Sequence, residues 1–352
     1  VDNAGVDLDL NFAKLDGVEG RDLSIKLPFT AGGLSELRLQ GKVSDDLADV
    51  MALLSQTNLS QSVLKPFQSW HVQGAADASF ELILPLSEQD AAEPYFNLML
   101  AVSDTDLKID DLNLSGTLVS GVLNYDTEKG IYNSNFDIKA FSGRAKLDLF
   151  GNVLASGALA ISANVVGDLD LQDVMVWQKL PDLLTDATQG KVAFNADFAI
   201  DAERSGVIKI NANTDLFGAS LALPKPFSKT ANIKKPLFLT IDLSPEGVDV
   251  TLKYDQKYRS KLRFSELGFY GGQALINEPE DVSFVISPGL SLQGQLVHVE
   301  LAAWRKLFSS PEESGIPQPL RLAVPEWLSY VSLIADQIRL NEDNLLNNAK
   351  LE

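Results

Sequence analysis

Hydrophobic and polar residues alternate along most of this chain. Leu8-Leu10-Phe12, Leu23-Ile25-Leu27, Phe136-Ile138-Ala140, Ala145-Leu147-Leu149, Val192-Phe194-Ala196-Phe198-Ile200, Leu237-Leu239-Ile241-Leu243 and Val248-Val250-Leu252-Tyr254 each set an apolar residue at every second position. Successive side chains of a strand point to opposite faces, so each stretch predicts a strand with one apolar and one wet side. Alternation of this kind suits antiparallel sheets, because buried parallel strands read as unbroken apolar runs. Turn signals separate the strands at Asp16-Gly17, Thr127-Glu128-Lys129-Gly130, Ser142-Gly143, Ser205-Gly206, Ser244-Pro245-Glu246-Gly247 and Gly271-Gly272. The expected architecture is mainly β, a long meander of hairpins.

Helical patterns are few and short. One is expected over roughly 45–67, with Ser44 or Asp45 as cap and Pro66 near its end; a second over 170–187, interrupted at Pro181; a third over 299–308. Trp327–Ile334 reads equally as helix or strand. Each of the first three follows a similar phrase: Leu37-Arg-Leu39-Gln-Gly41-Lys-Val43, Leu159-Ala-Ile161-Ser-Ala163-Asn-Val165 and Leu290-Ser-Leu292-Gln-Gly294-Gln-Leu296. The phrases start 122 and 131 residues apart, too far for a small solenoid repeat and about right for a supersecondary block. The chain is therefore expected to be one continuous segment of about three repeats, roughly 1–70, 71–190 and 191–320, with a tail over 321–352. So few helices cannot cover every apolar strand face. Either the sheet curls until that face meets itself, or the face stays available to a ligand.

Composition narrows the chemistry. None of the 352 residues is cysteine, which removes disulfides, thiolate nucleophiles and zinc–thiolate sites. Net charge is −19, and residues 1–200 carry most of it, with 13 Lys/Arg against 29 Asp/Glu. Nucleic acid is disfavoured as a partner, since phosphate binding needs a concentrated basic face, and flat docking on an anionic leaflet is disfavoured likewise. The one basic stretch, Lys253, Lys257, Arg259, Lys261 and Arg263, alternates with Tyr254, Tyr258, Leu262 and Phe264, and reads as a solvated strand face. With no apolar run near 18 residues and no signal-peptide pattern, the expected context is an internal, soluble stretch of a larger or processed protein.

Catalytic patterns are nearly absent. The two histidines, His71 and His298, have no metal-ligand spacing, and there is no nucleophile elbow, P-loop or dinucleotide fingerprint. The acidic groups Asp104-Thr-Asp106…Asp110-Asp111 and Asp168-Leu-Asp170…Asp173 invite a calcium reading. Counting from Asp104, however, the EF-hand positions that need Gly and a bidentate acid hold Ile109 and Ser115. Loop-end and helix-cap roles fit these aspartates better. No enzyme, metal or cofactor is expected.

The centre of the chain carries longer phrases. Leu114-Ser-Gly116-Thr-Leu118…Gly121-Val-Leu123-Asn-Tyr125…Gly130-Ile131…Ile138-Lys-Ala140-Phe141-Ser-Gly143-Arg-Ala145 resembles a recurrent phrase of the AsmA superfamily, in particular of its YhdP-like branch. Asp215-Leu216-Phe217-Gly218…Leu223-Pro224-Lys225-Pro226…Lys229 resembles that branch's "DL-x-G…LP-x-P-x-x-K" signature, and Val299-Glu300-Leu301-Ala302-Ala303-Trp304 its "hydrophobic-x-L-x-x-W" closing phrase. The resemblance covers about 112–304. It implies a periplasmic segment of a large protein anchored in the inner membrane of Gram-negative bacteria. It also implies a bridge-like lipid transporter, whose elongated, strongly curved antiparallel sheet forms an open apolar groove, with a few short helices capping repeats. The implied partners are phospholipid acyl chains, and the inner and outer membranes through other parts of the protein.

On that reading the groove is lined by Val192, Phe194, Phe198, Leu237, Leu239, Ile241, Val250 and Leu252, with Leu147 and Leu149 as further candidates. Trp177 and Trp304 are expected to anchor helices onto the sheet. Two other classes stay open: a closed β module that binds protein or glycan, and, last, a carbohydrate-active β protein with carboxylates paired only in space.

Overall fold

The computed structural model describes residues 5–15, 18–30, 33–56, 69–86, 93–110, 112–180, 182–200, 207–265, 267–308, 327–341 and 344–351. Asp16-Gly17, Ser205-Gly206, Pro66, Pro181, Asp111 and the start of the tail lie outside them. The chain is mainly β. It divides into two compact units, Val1–Gly167 with Ala199–Ser205, and Asp168–Phe198 with Gly206–Glu352.

The first unit is a meander. Its elements are β1 (Val6–Leu15), β2 (Val18–Leu27), a small hairpin of β3 (Phe29–Thr30) and β4 (Gly33–Leu34), β5 (Glu36–Asp46), α1 (Leu47–Ser55), β6 (Trp70–Pro85), β7 (Tyr95–Ile109), β8 (Leu114–Asp126), β9 (Gly130–Ile131), β10 (Ser134–Ala140), β11 (Gly143–Val153) and β12 (Leu159–Asp170). Hydrogen bonding runs β1-β2-β5-β6-β7-β8-β10-β11-β12, antiparallel at every step. The β10–β11 turn is centred on Phe141 and Ser142, both at positive φ (49° and 52°), the geometry that matches a hairpin's twist. Gly74 and Asp104 (φ 149° and 45°) form a bulge at which the β6–β7 register shifts, and Thr105 is fully buried beside it.

The apolar face of this unit is filled. Phe96, Leu98, Leu100 and Val102 on β7 are 5–8% exposed, and they share one buried cluster with Ala76 and Ala78 of β6, Leu149 of β11, and Leu159 and Ile161 of β12. Three strands separate β7 from β12 in hydrogen-bond order. Among the described residues only α1, through Leu47 and Met51, adds a second layer to that cluster, so the burial comes mainly from the sheet bending its apolar face inward.

The second unit comprises α2 (Leu171–Trp177), α3 (Asp182–Ala187), β13 (Thr188–Gln189), β14 (Lys191–Ile200, its last two residues in the first unit), β15 (Ile208–Thr214), β16 (Ser220–Leu221), β17 (Leu237–Ser244), β18 (Gly247–Tyr254), β19 (Tyr258–Ser265), β20 (Gly268–Ile276), β21 (Gly289–Glu300), α4 (Leu301–Phe308), β22 (Leu328–Arg339) and β23 (Leu345–Leu351). Strands β15-β17-β18-β19-β20 pair antiparallel. The β20–β21 and β21–β22 pairs are parallel, and β22–β23 returns to antiparallel. Two parallel pairs therefore interrupt the expected meander. The 277–288 segment that makes the first of these crossovers contains no helix. It is tied down by Arg259, whose guanidinium donates to the carbonyls of Glu278 and Glu280 (3.5 and 3.2 Å) and Pro279 (2.5 Å), and lies against Phe284.

All three repeated phrases are strands that run directly into helices: β5 into α1, β12 into α2 and β21 into α4. Asp46, rather than Ser44 or Asp45, caps α1 by accepting from the Ala48 N–H at 2.8 Å, and Asp170 caps α2 through the Gln172 N–H at 2.9 Å. Trp327–Ile334 resolves as strand β22 from Leu328 onward. Gly271-Gly272 is a correction, since it lies within β20 instead of at a turn. A Cβ on Gly271 would stand 1.9 Å from the Ser287 carbonyl and one on Gly272 2.4 Å from that of Lys261, so glycine here permits close approach of backbones.

Candidate functional site: an apolar wall on the second unit

Register turns the alternation of β15 and β17–β19 into rows. Ile210, Ile241, Val250 and Leu262 are successive cross-strand partners; Ala212, Leu239, Leu252 and Ser260 form the next row, and Ile208, Leu243, Val248 and Phe264 the row on the other side. All twelve share one face. Each is half-buried, and of the twelve only Leu252 packs against a buried cluster of the described residues. Among the described residues, no buried cluster therefore covers this aliphatic wall several strands wide.

The opposite face is a charged ladder. Asp249 accepts two hydrogen bonds from Arg263 (2.7 and 2.8 Å) and faces Lys261 at 3.4 Å; Lys209 pairs with Asp242 at 3.7 Å. The Arg263 hydrogen bonds hold the Asp249 carboxyl below its ordinary value despite partial burial. The basic stretch read as a solvated face is that in part only. Arg259 is 8% exposed beneath the 277–288 segment.

One end of the wall is plugged. There the row is Leu237, Tyr254, Tyr258 and Ile276. Tyr254 and Tyr258 lie 5.6 Å apart, Phe227 packs on Tyr258 at 5.1 Å, and Trp304 of α4 meets Phe227 edge-on at 5.7 Å. Phe227 belongs to the loop between β16 and β17, whose centre is Lys229. This side chain is 4% exposed, and its ammonium donates to the carbonyls of Leu216 (2.6 Å), Ala219 (2.7 Å) and Thr230 (3.2 Å). Burial pushes its pKa down. Gly218, at φ 98°, brings its backbone so near Lys191 that a Cβ would stand 2.3 Å from the Lys191 carbonyl. The "DL-x-G…LP-x-P-x-x-K" phrase thus builds a loop around a buried lysine, and the closing phrase supplies the tryptophan that seals it.

The residues expected to line a groove divide accordingly. Leu239, Ile241 and Val250 stand on the uncovered wall. Leu237 and Leu252 share its face and pack against the buried cluster of Val192, Leu216, Ala219 and Tyr254. Val192 is 2% exposed at the start of β14, while Phe194 and Phe198 further along that strand are half-buried. Leu147 and Leu149 belong to the first unit, the former half-buried opposite Val165 and the latter in the core. Trp304 packs α4 onto the sheet side of the plug, and Trp177 is half-buried at the end of α2. Periodicity could not reveal Lys229 or Phe227, since both sit in a loop; the signature phrase marks Lys229, and Phe227 falls at one of its open positions.

The acidic groups have structural partners. Asp110 holds His71 at 2.6 Å and Lys108 at 2.7 Å, Asp106 accepts from Thr117 at 3.4 Å, and His298 lies 3.5 Å from Glu300. Among the described residues no group of three His, Asp or Glu is placed to hold a metal, and no helix is long and apolar enough to cross a membrane.

Fold and site together define a class, the mainly antiparallel β protein that offers a wide apolar wall on one face and a charged ladder on the other. A family model described as YhdP protein matches residues 1–348, and the chain belongs to the YhdP family. Neither curated proteins nor solved structures gave a match.

Proposed function

We propose that this chain is a periplasmic segment of an AsmA-type bridge for lipids, in which the apolar wall shields phospholipid acyl chains on their way between inner and outer membranes. The observation that carries the reading is the uncovered wall of Ile208, Ile210, Leu239, Ile241, Leu243, Val248, Val250, Leu262 and Phe264. A chain of about sixteen carbons exposed to water forfeits about 0.8 kcal/mol per methylene, hence roughly 12 kcal/mol. A continuous aliphatic surface removes most of that barrier, and the charged ladder keeps the reverse side wet. Head groups remain in solvent at the open side, and the passage needs no catalytic group.

Family membership supports the lipid reading, and the three strand-into-helix joints support repeats of roughly 1–70, 71–190 and 191–320 followed by a tail. Phe194 and Phe198 extend the wall along β14 in this reading, and the half-buried Leu147 is its candidate in the first unit, where Leu149 packs in the core. Anchoring in the inner membrane and delivery at the outer one belong to other parts of a longer protein.

The test is native mass spectrometry of the purified chain, paired with lipid analysis of the same sample. Phospholipid should co-purify and be lost in folded Ile241→Asp and Phe194→Asp variants. An apo mass that persists after incubation with phospholipid would reject the groove and favour a closed β module that binds protein or glycan.

A further inference from the structure

The rows of the wall are ridges. Along a row, cross-strand neighbours stand about 4.8 Å apart, close enough for aliphatic side chains to touch, whereas adjacent rows lie two residues, about 6.8 Å, apart along the strands. A linear hydrocarbon chain therefore nests in the furrow between two rows and runs across the strands. The three rows that begin at Ile208, Ile210 and Ala212 bound two such furrows. A third lies between the Ala212 row, which continues from Ser260 through Ala274 to Leu292 and Val331, and the row of Leu237, Tyr254, Tyr258 and Ile276. Phe227 occupies it. Its ring lies on Tyr258 at 5.1 Å, Trp304 closes on it edge-on at 5.7 Å, and both Phe227 and Leu292 pack against the buried cluster of Ile276 and Leu333. The loop holds the ring in place: the Phe227 N–H donates to the Pro224 carbonyl at 3.0 Å, and Lys229, two residues on, exchanges backbone hydrogen bonds with Leu221 at 2.8 and 3.0 Å while its ammonium is fixed by three carbonyls. A side chain of the protein thus lies where a third acyl chain would.

We propose that Phe227 is a lateral stop that sets the capacity of the wall: it fills the third furrow, so that acyl chains lie two abreast, the number a diacyl lipid carries, and a third chain is excluded. The inference rests on the acyl-chain reading of the wall and adds to it how many chains the wall takes and which residue limits them. A half-buried aromatic ring backed by a tryptophan suits a stop, because it presents hydrocarbon to the chain beside it. Removing the ring while keeping the tryptophan leaves an apolar slot between Tyr258 and Trp304, which hydrocarbon fills more favourably than water does.

The experiment loads the full chain with a phosphatidylcholine whose acyl chains carry bromine, which quenches tryptophan fluorescence on contact. Trp304 emission is read as the difference between each protein and its Trp304→Phe counterpart. In the parent, bound lipid should leave that emission unchanged. In Phe227→Ala, with a melting transition that shows a folded chain, the same lipid should quench most of it, and native mass spectrometry with a single-chain lysophosphatidylcholine should count one more bound lipid than in the parent. Quenching of Trp304 in the parent overturns the proposal, and that arm needs no variant of Phe227. So does a folded Phe227→Ala chain that binds lipid with Trp304 unquenched and no chain added. A parent that takes up no lipid, or whose lipid stays bound in Ile241→Asp, refutes the acyl-chain reading of the wall and the stop with it. A parent that loses its lipid in Ile241→Asp but shows Trp304 quenched refutes the stop alone.

Discussion

On β7, Phe96, Leu98, Leu100 and Val102 are 5–8% exposed, whereas on β17 and β18 Leu239, Ile241 and Val250 are half-buried and outside every buried cluster of the described residues. The alternation is the same in both places. What differs is the length of the strands and what the apolar face meets. Strands β6, β7 and β8 run 16, 15 and 13 residues, and twist accumulated over that length lets the face bend onto itself. Strands β17, β18 and β19 run 8 residues each, too short to coil far, and among the described residues a loop covers one end of their face. The first region has the packing of a core, and the second has the composition of a core without the packing.

Four substitutions test that contrast. Leu100→Asp places a carboxylate in the filled face of the first unit and should cost more than about 4 kcal/mol, read as loss of the folded state in urea titration. A stable Leu100→Asp protein would mean that this face is as open as the other. Lys229→Met leaves three loop carbonyls without their donor and should cost about 2–3 kcal/mol, with a changed near-ultraviolet dichroism from the Phe227–Trp304 plug. If the spectrum is untouched, the lysine does not organise the plug.

Asp126→Asn probes the first unit by titration. Asp126 is 1% exposed. Burial pushes its pKa up, but the N–H groups of Glu128 and Lys129, at 2.9 and 3.1 Å, and the Tyr95 hydroxyl at 3.0 Å outweigh that and hold it below the usual carboxylate value. A depressed folded pKa stabilises above the unfolded value near about 4, and the contribution is lost as pH falls through the folded one. Asp126→Asn should therefore cost about 1–3 kcal/mol at neutral pH and show less further loss below about pH 4. An acid limb as steep as the parent's would assign the acid sensitivity elsewhere. Ile241→Asp, on the uncovered wall, should change stability least, by about 1 kcal/mol, while on the acyl-chain reading it should abolish co-purification of lipid. A loss comparable to that of Leu100→Asp would show the wall to be a core after all.

The strands were legible because period two follows from backbone geometry, whatever surrounds the strand. The helix starts were legible to within a residue or two, since an acid that satisfies free N–H groups is a local device, as at Asp46 and Asp170. Gly271-Gly272 misled because glycine serves turns and close backbone contacts alike. The parallel pairs at β21 and β22 could not be read, as pairing partners are set by long-range register. Nor could the burial of Arg259, whose alternating neighbours suggest solvent until the 277–288 segment crosses over it.

The sequence by itself determined that this is a β protein with one apolar and one polar side to each strand, acidic, free of cysteine, and bearing the phrases of its family. Tertiary structure alone decided which apolar faces are filled and which stand uncovered. Alternation states which way a side chain points, and burial depends on what another part of the chain places against it.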